Sequence, residues 1–287
     1  MEFFEAPVII HILKAQQAFG AMAALDDGAL PLDRAALAIA AEEYPGLDTD
    51  GYLRRLDILA ARAEVLIGDS REPAAVIDGL NEVLFVQEGL GGNGEDYYDP
   101  RNSFLNEVLD RRLGIPISLS IIYIEVARRI GFPIGGVGLP GHFLVKHTAA
   151  DRDILIDPFH RGRILTFNDC QELLDRIHGG ELTVDAALLE PMGNRAILTR
   201  MLYNLKAIYT QKEEHLKALS AVDKILMLNP GVPSEIRDRG LLYMQTGLFA
   251  RALASLEAYL TRTAAPEDSR HVRDNIRVLR GVVCAEN

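Results

Sequence analysis

Gly114-Ile115-Pro116-Ile117-Ser118-Leu119-Ser120 opens the stretch that decides the fold, and the run stays apolar to Ile130 before Gly131 stops it. Pro at the first helical position is favourable, because its missing N–H would have no partner there and its φ is already helical. The spacing predicts a strongly apolar helix from about Pro116 to Ile130. A helix apolar on nearly every side belongs inside a core. Three pieces rich in Ile, Val, Leu and Phe follow, Pro133–Gly138, His142–His147 and Asp153–Asp157, each bounded by turn residues, and they read as short strands. Thr166-Phe167-Asn168-Asp169 has the form of a capping box and predicts a helix to about Ile177. Upstream, the polar segment Glu95–Asn102 leads into a short helix of about Ser103–Arg111, with Ser103 and Glu107 suited to its first turn.

Outward from this middle, both ends read as helical. Toward the N-terminus, Ala-rich segments with apolar spacing of three and four occupy Pro7–Ala24, Asp33–Glu43 and Tyr52–Ile67, and a further helix is expected over Glu72–Glu88. Gly89-Leu90-Gly91-Gly92-Asn93-Gly94 ends it, since four glycines in six residues cannot continue a helix cheaply. Toward the C-terminus there is an internal repeat. A shift of 34 residues superimposes Tyr209 on Tyr243, Gln211 on Gln245, Ala218 on Ala252, Leu219 on Leu253 and Leu226 on Leu260. Thirty-four is the period of the tetratricopeptide helix–turn–helix unit. In each unit the Tyr falls late on the first helix and fills space, while the Ala falls early on the second and lets the helices approach. Asn229-Pro230 closes the first unit, and a terminal helix over about Ser269–Val282 completes a short array. The expected architecture is α+β and mainly helical: a helical N-terminal region over residues 1–92 that packs on a core over 93–190, and helical repeats over 195–287.

Composition narrows the function classes. The chain has 287 residues, 48% of them hydrophobic and 25% charged, with a net charge of −11. That balance opposes general binding to nucleic acid or to anionic membrane, both of which need a basic footprint. The charge is uneven. Residues 198–287 carry 13 Lys and Arg against 10 Asp and Glu, a net +3, which leaves −14 for residues 1–197. Cys170 and Cys284 form no CxxC pair, so neither a zinc cluster nor a disulfide framework is implied. The acidic start, Met1-Glu2-Phe3-Phe4-Glu5, lacks the basic region of a secretory signal, and no apolar run is long enough to span a bilayer. A reducing cytoplasm is the expected compartment. No cofactor is indicated.

Residues able to carry chemistry gather in the middle region. Ser118 and Ser120 fall in the first turns of the apolar helix, His142 begins a strand and Asp157 ends the next. A nucleophile at a helix start gains from the dipole and from free N–H groups, a His on a neighbouring strand can act as base, and an Asp can hold the imidazole in place. Asn102 and Asn106, one helical turn apart, are candidates for a buried polar network beneath such a cleft. Asp96, Asp99 and Asp110 around Tyr97 and Tyr98 have no ligand spacing and read as solvated loop.

Gly114–Gly131, Pro140-Gly141-His142-Phe143-Leu144-Val145 and Leu155-Ile156-Asp157-Pro158 resemble the core of transglutaminase-like, papain-related proteins. The stretch from Asp99-Pro100-Arg101-Asn102-Ser103-Phe104 through Gly114-Ile115-Pro116-Ile117-Ser118-Leu119-Ser120 is similar to the bacterial SirB-type family. In that family a helical N-terminal region, a transglutaminase-like core and tetratricopeptide repeats occur together, and a related segment is found in a eukaryotic F-box protein. Active members of the superfamily begin the helix with Gly-x-Cys. Laid on this chain, the pattern puts Pro116 at the Cys position and Ser120 at that of a small residue, while His142 and Asp157 match the rest of the triad. The resemblance therefore implies a core without its nucleophile. Ser118 lies two positions on, about 200° around a helix, and points elsewhere unless the helix start shifts. Cys170 falls on a later helix and Cys284 near a terminus. Three functional readings follow. One is a non-catalytic protein whose repeats bind a protein or peptide. Another is a hydrolase or acyltransferase of the same lineage, using Ser118 or water with His142 and Asp157. The third is a purely structural or regulatory protein that uses neither cleft nor repeat surface.

Overall fold

A computed structural model describes residues 6–148, 153–263 and 269–286. The chain divides into two compact units, residues 1–201 and 202–287. Helices make up 68% of the structure, so the α+β, mainly helical expectation holds.

In the first unit, α1 (Ala6–Ala23), α2 (Leu32–Glu43) and α3 (Thr49–Ile67) form the expected N-terminal helices. α3 starts where the Asp48 carboxylate accepts from Gly51 N at 2.9 Å, an N-cap that satisfies one of the free donors of the first turn. The next helix differs from its predicted form. α4 covers Pro73–Asn81 and passes into a π-helical turn over Glu82–Gln87. The extra residue in that turn re-aims the helix end, so that Phe85 stacks on Tyr123 with ring centroids 6.1 Å apart while Val86 is exposed.

The glycine run then forms β1 (Gly91–Gly92), which pairs in parallel with β2 (Leu113–Gly114). Between them lie a 3-10 turn, Pro100–Asn102, and α5 (Leu105–Arg111), two residues shorter at its start than predicted. α6 (Pro116–Arg129) follows the predicted apolar helix, and every residue from Pro116 to Ala127 is buried. It is the central rod of the unit, with α2, α3, α5 and the sheet packing around it.

The sheet has four antiparallel strands in sequential order: β3 (Gly135–Val137), β4 (Leu144–Thr148), β5 (Asp153–Asp157) and β6 (Arg163–Leu165). The first three answer the predicted strands. β6 was not predicted, because three residues with two of them exposed carry almost no hydrophobic signal. α7 (Phe167–His178) opens with the expected capping box, Thr166 and Asp169 each holding the other's backbone N–H. Its inner face meets the sheet in a core of Val137, Leu139, Leu144, Leu155, Cys170, Leu173 and Leu174.

Buried charge ties the N-terminal helices to α6. The Arg129 guanidinium donates to Asp33 of α2 at 2.7 Å, to Asp57 of α3 at 2.7 Å and to Glu125 of α6 at 3.0 Å. Residues 1–92 and the middle region fall in one compact unit.

α8 (Asn194–Gln211) runs through the boundary between the units. The second unit continues with α9 (His215–Leu228), α10 (Pro233–Gln245), α11 (Phe249–Arg262) and α12 (Ser269–Glu286). The 34-residue shift read from side chains is repeated by the backbone. Glu214 N donates to Tyr209 O and Leu248 N to Tyr243 O, both at 2.9 Å, and the residue before each, Glu213 and Gly247, is left-handed. Ala218 and Ala252 are fully buried, as their place in the repeat requires. At Gly240 an added Cβ would lie 2.6 Å from a Leu256 methyl, so α10 and α11 touch there almost backbone to side chain.

Candidate functional site

The site is assembled from the start of α6, the entry to β4 and the turn after β5. At the first of these, Pro116 occupies the opening position of α6 and is buried. Ser118 is buried beside it, but its hydroxyl is committed locally. Oγ donates to Asn102 O at 2.6 Å and accepts from Ile115 N at 3.1 Å. The side chain thus caps its own helix and fastens the turn before α5 to it. No hydrogen bond among the described residues joins Ser118 to His142.

Asn102 does the work expected of a buried polar organiser. Its Oδ1 accepts from Asn93 Nδ2 at 3.1 Å, and its Nδ2 donates to Asp96 O at 2.7 Å. Asn106 and Ser120 do not join this network: Asn106 Oδ1 and Ser120 Oγ are buried without a hydrogen-bond partner. In the acidic segment Asp96 and Asp110 are exposed as expected, and Asp99 departs from that state. Asp99 is buried and holds Arg101 at 2.7 Å and Arg111 at 3.4 Å.

Across the sheet, His142 and Asp157 come together. His142 Nε2 lies 3.0 Å from Asp157 Oδ2, and both side chains are buried. The backbone before His142 is pinned by Arg200, whose Nη2 donates to His142 O at 2.7 Å and also to Leu139 O. Asp157 ends β5 and caps the turn Pro158–His160, its Oδ1 accepting from Phe159 N at 3.0 Å and His160 N at 3.3 Å. Burial alone would raise the Asp157 carboxyl. Hydrogen bonds and charge from His142, then from His160, outweigh it and hold the group below the ordinary carboxylate range.

His160 was not singled out from the sequence. Its Nδ1 sits 2.7 Å from the same Oδ2 that His142 faces, and its ring stacks on that of His142 with centroids 5.9 Å apart. The signal for it was present in Asp157-Pro158-Phe159-His160. An Asp that caps a turn draws the residue three positions on back toward its carboxylate. Phe159 closes the side of the cluster, standing edge-on to His142, and Gly92 leaves room for it: a Cβ there would come within 2.5 Å of the ring. One donor atom each from His142, Asp157 and His160 lies within 4.8 Å of the others.

The cysteines stay apart from this chemistry. Burial, followed by the charges of Asp169 and Asp157, pushes the Cys170 thiol up to about 11, so it is protonated and inert at neutral pH. Cys284 is exposed on α12.

The transglutaminase-like superfamily model matches residues 50–203, the stretch that holds α3, α6, the sheet and the His–Asp pair. This chain is a member of the transglutaminase-like superfamily. A tetratricopeptide repeat model matches residues 205–279. Within the superfamily the chain belongs with the UPF0162 proteins. It is 44% identical to one from Xylella fastidiosa (strain Temecula1) over 83% of this chain and 86% of that protein. It is 34% identical to one from Pseudomonas aeruginosa, over 75% and 78%. The chain is also 32% identical to mouse F-box only protein 21, over 61% of this chain and 28% of that one. No solved structure matches the chain. Among the described residues, no helix is long and apolar enough to cross a membrane.

Proposed function

We propose that this UPF0162 protein is a non-catalytic, transglutaminase-like binding protein that engages a protein or peptide through its tetratricopeptide repeats. The observation that carries the reading is the start of α6. Pro116 supplies neither nucleophile nor N–H at the position where active relatives place Cys, and the nearby Ser118 hydroxyl is spent on Asn102 O and Ile115 N. A serine nucleophile needs its Oγ within hydrogen-bond reach of the base, and here the ring of His142 faces Asp157 instead. The repeats favour the binding half of the proposal, since stacked helical hairpins offer an extended surface for partners.

Labelling of the purified protein with a fluorophosphonate and with iodoacetamide tests the first half. The expected result is no fluorophosphonate adduct, with alkylation confined to Cys284. Stoichiometric labelling of Ser118 that disappears in His142→Ala would overturn the reading in favour of a serine hydrolase or acyltransferase. For the second half, partners retained by the whole chain are compared with those of a variant carrying Tyr209→Ala and Tyr243→Ala. Partners that depend on the repeats are expected.

A further inference from the structure

We propose that His142, Asp157 and His160 bind one divalent transition-metal ion of the zinc class, through His142 Nε2, Asp157 Oδ2 and His160 Nδ1. The proposal stands independently of the repeat-binding function above. Its starting point is a question that the missing nucleophile raises. A His–Asp pair of this order has no thiol to serve here, yet both residues are buried and oriented, and a second imidazole, that of His160, meets the same carboxylate oxygen.

The geometry answers in the terms of a coordination sphere. An ion about 2.1 Å from each donor sets neighbouring donors about 3.0–3.4 Å apart. His142 Nε2 stands 3.0 Å from Asp157 Oδ2, at the edge of that range, while His160 Nδ1 at 2.7 Å has to open slightly, and all three donors lie within 4.8 Å of one another, so an ion draws them together by small movements. The side chain of His160 is 50% exposed, so the cluster has an entrance and one member with solvent beside it to adjust.

The supporting shell is also in place. A ligating carboxylate works best when its other oxygen is held. Asp157 Oδ1 is held by the backbone N–H groups of Phe159 and His160, which leaves Oδ2 for an ion. Arg200 fixes the backbone of His142 without reaching toward the donors. Two neutral imidazoles and one carboxylate form a borderline set that suits zinc, cobalt, nickel or iron better than calcium or magnesium. Three protein ligands also leave a position open for water or an anionic group, the form of an open site rather than a closed structural one.

The test uses the whole chain, stripped with a chelator and titrated with Zn²⁺ and, separately, Co²⁺. Binding is followed by calorimetry, by elemental analysis after dialysis, and by the visible bands of Co²⁺. The expected result is one ion per chain, a tetrahedral Co²⁺ spectrum and a Tm that rises with Zn²⁺ concentration. His160→Gln removes one ligand at a half-exposed position and leaves the His142–Asp157 pair intact. It is expected to weaken binding by more than about a hundredfold, beyond the range seen for loss of a supporting residue alone. His142→Gln is expected to do the same, with circular dichroism confirming that each variant folds. The proposal is overturned if the wild-type chain retains no ion after dialysis, or if it binds an ion with the same affinity and spectrum after His160→Gln, which would place the ion on another surface histidine.

Discussion

The start of α6 and the turn after β5 put their buried polar groups to opposite uses. At α6 the polar groups have been turned inward to structural use: Pro116 sets the helix, and Ser118 ties it to Asn102. At the β5 turn the polar groups still converge, and Asp157 gathers two imidazoles and two backbone N–H groups. A carboxylate that caps a turn and anchors two rings is costly to remove whatever the chemistry, whereas a helix start tolerates proline at no cost in hydrogen bonds.

The largest effect should come from breaking the converging half. Asp157→Ala strands two buried backbone donors and unseats His142, and should lower stability by about 3 kcal/mol, read as a shift in the urea midpoint. The same group sets a pH dependence. Its folded value lies below its unfolded one, so its contribution is complete above about pH 4 and is lost as pH falls through the folded value. Asp157→Asn should flatten the acid limb of the stability curve relative to wild type. On the structural half, Ser118→Ala removes two local hydrogen bonds and should cost about 1–2 kcal/mol, without changing the environment of His142 as seen by NMR. The smallest effect on stability belongs to Pro116→Cys, less than about 1 kcal/mol from a looser unfolded chain. It sharpens the comparison most. A thiol at this buried helix start should be alkylated by iodoacetamide more slowly than the exposed Cys284, and more slowly still once His142→Ala is added. Equal rates with and without His142→Ala would show that the two halves do not face each other.

Most of the architecture was legible because it rests on local signals. Pro116 and Gly131 bracket α6, the Thr166–Asp169 box opens α7, and the 34-residue period marks the repeats. His142 and Asp157 were legible for a different reason, as positions in a familiar order of helix, strand and strand. What escaped depends on partners distant in sequence or on exceptions to local rules. Asp99 looks solvated until Arg111, twelve residues away, folds over it. The π turn at Glu82–Gln87 has an ordinary helical composition. Asn106 looked equivalent to Asn102, but only Asn102 meets the loop that needs its amide. His160 was hidden by its exposure, since an unburied His after a strand reads as surface.

The Arg129 fork carries a consequence for how the molecule breathes. One guanidinium holds carboxylates from α2, α3 and α6, and because Arg129 itself sits on α6, opening α6 strands the nearly buried Asp33 carboxylate of α2. Opening α6 alone is then penalised relative to opening α6 and α2 together. The slowest amide protons of α2 and α6 should share a single opening free energy in native-state hydrogen exchange. Arg129→Met should split them.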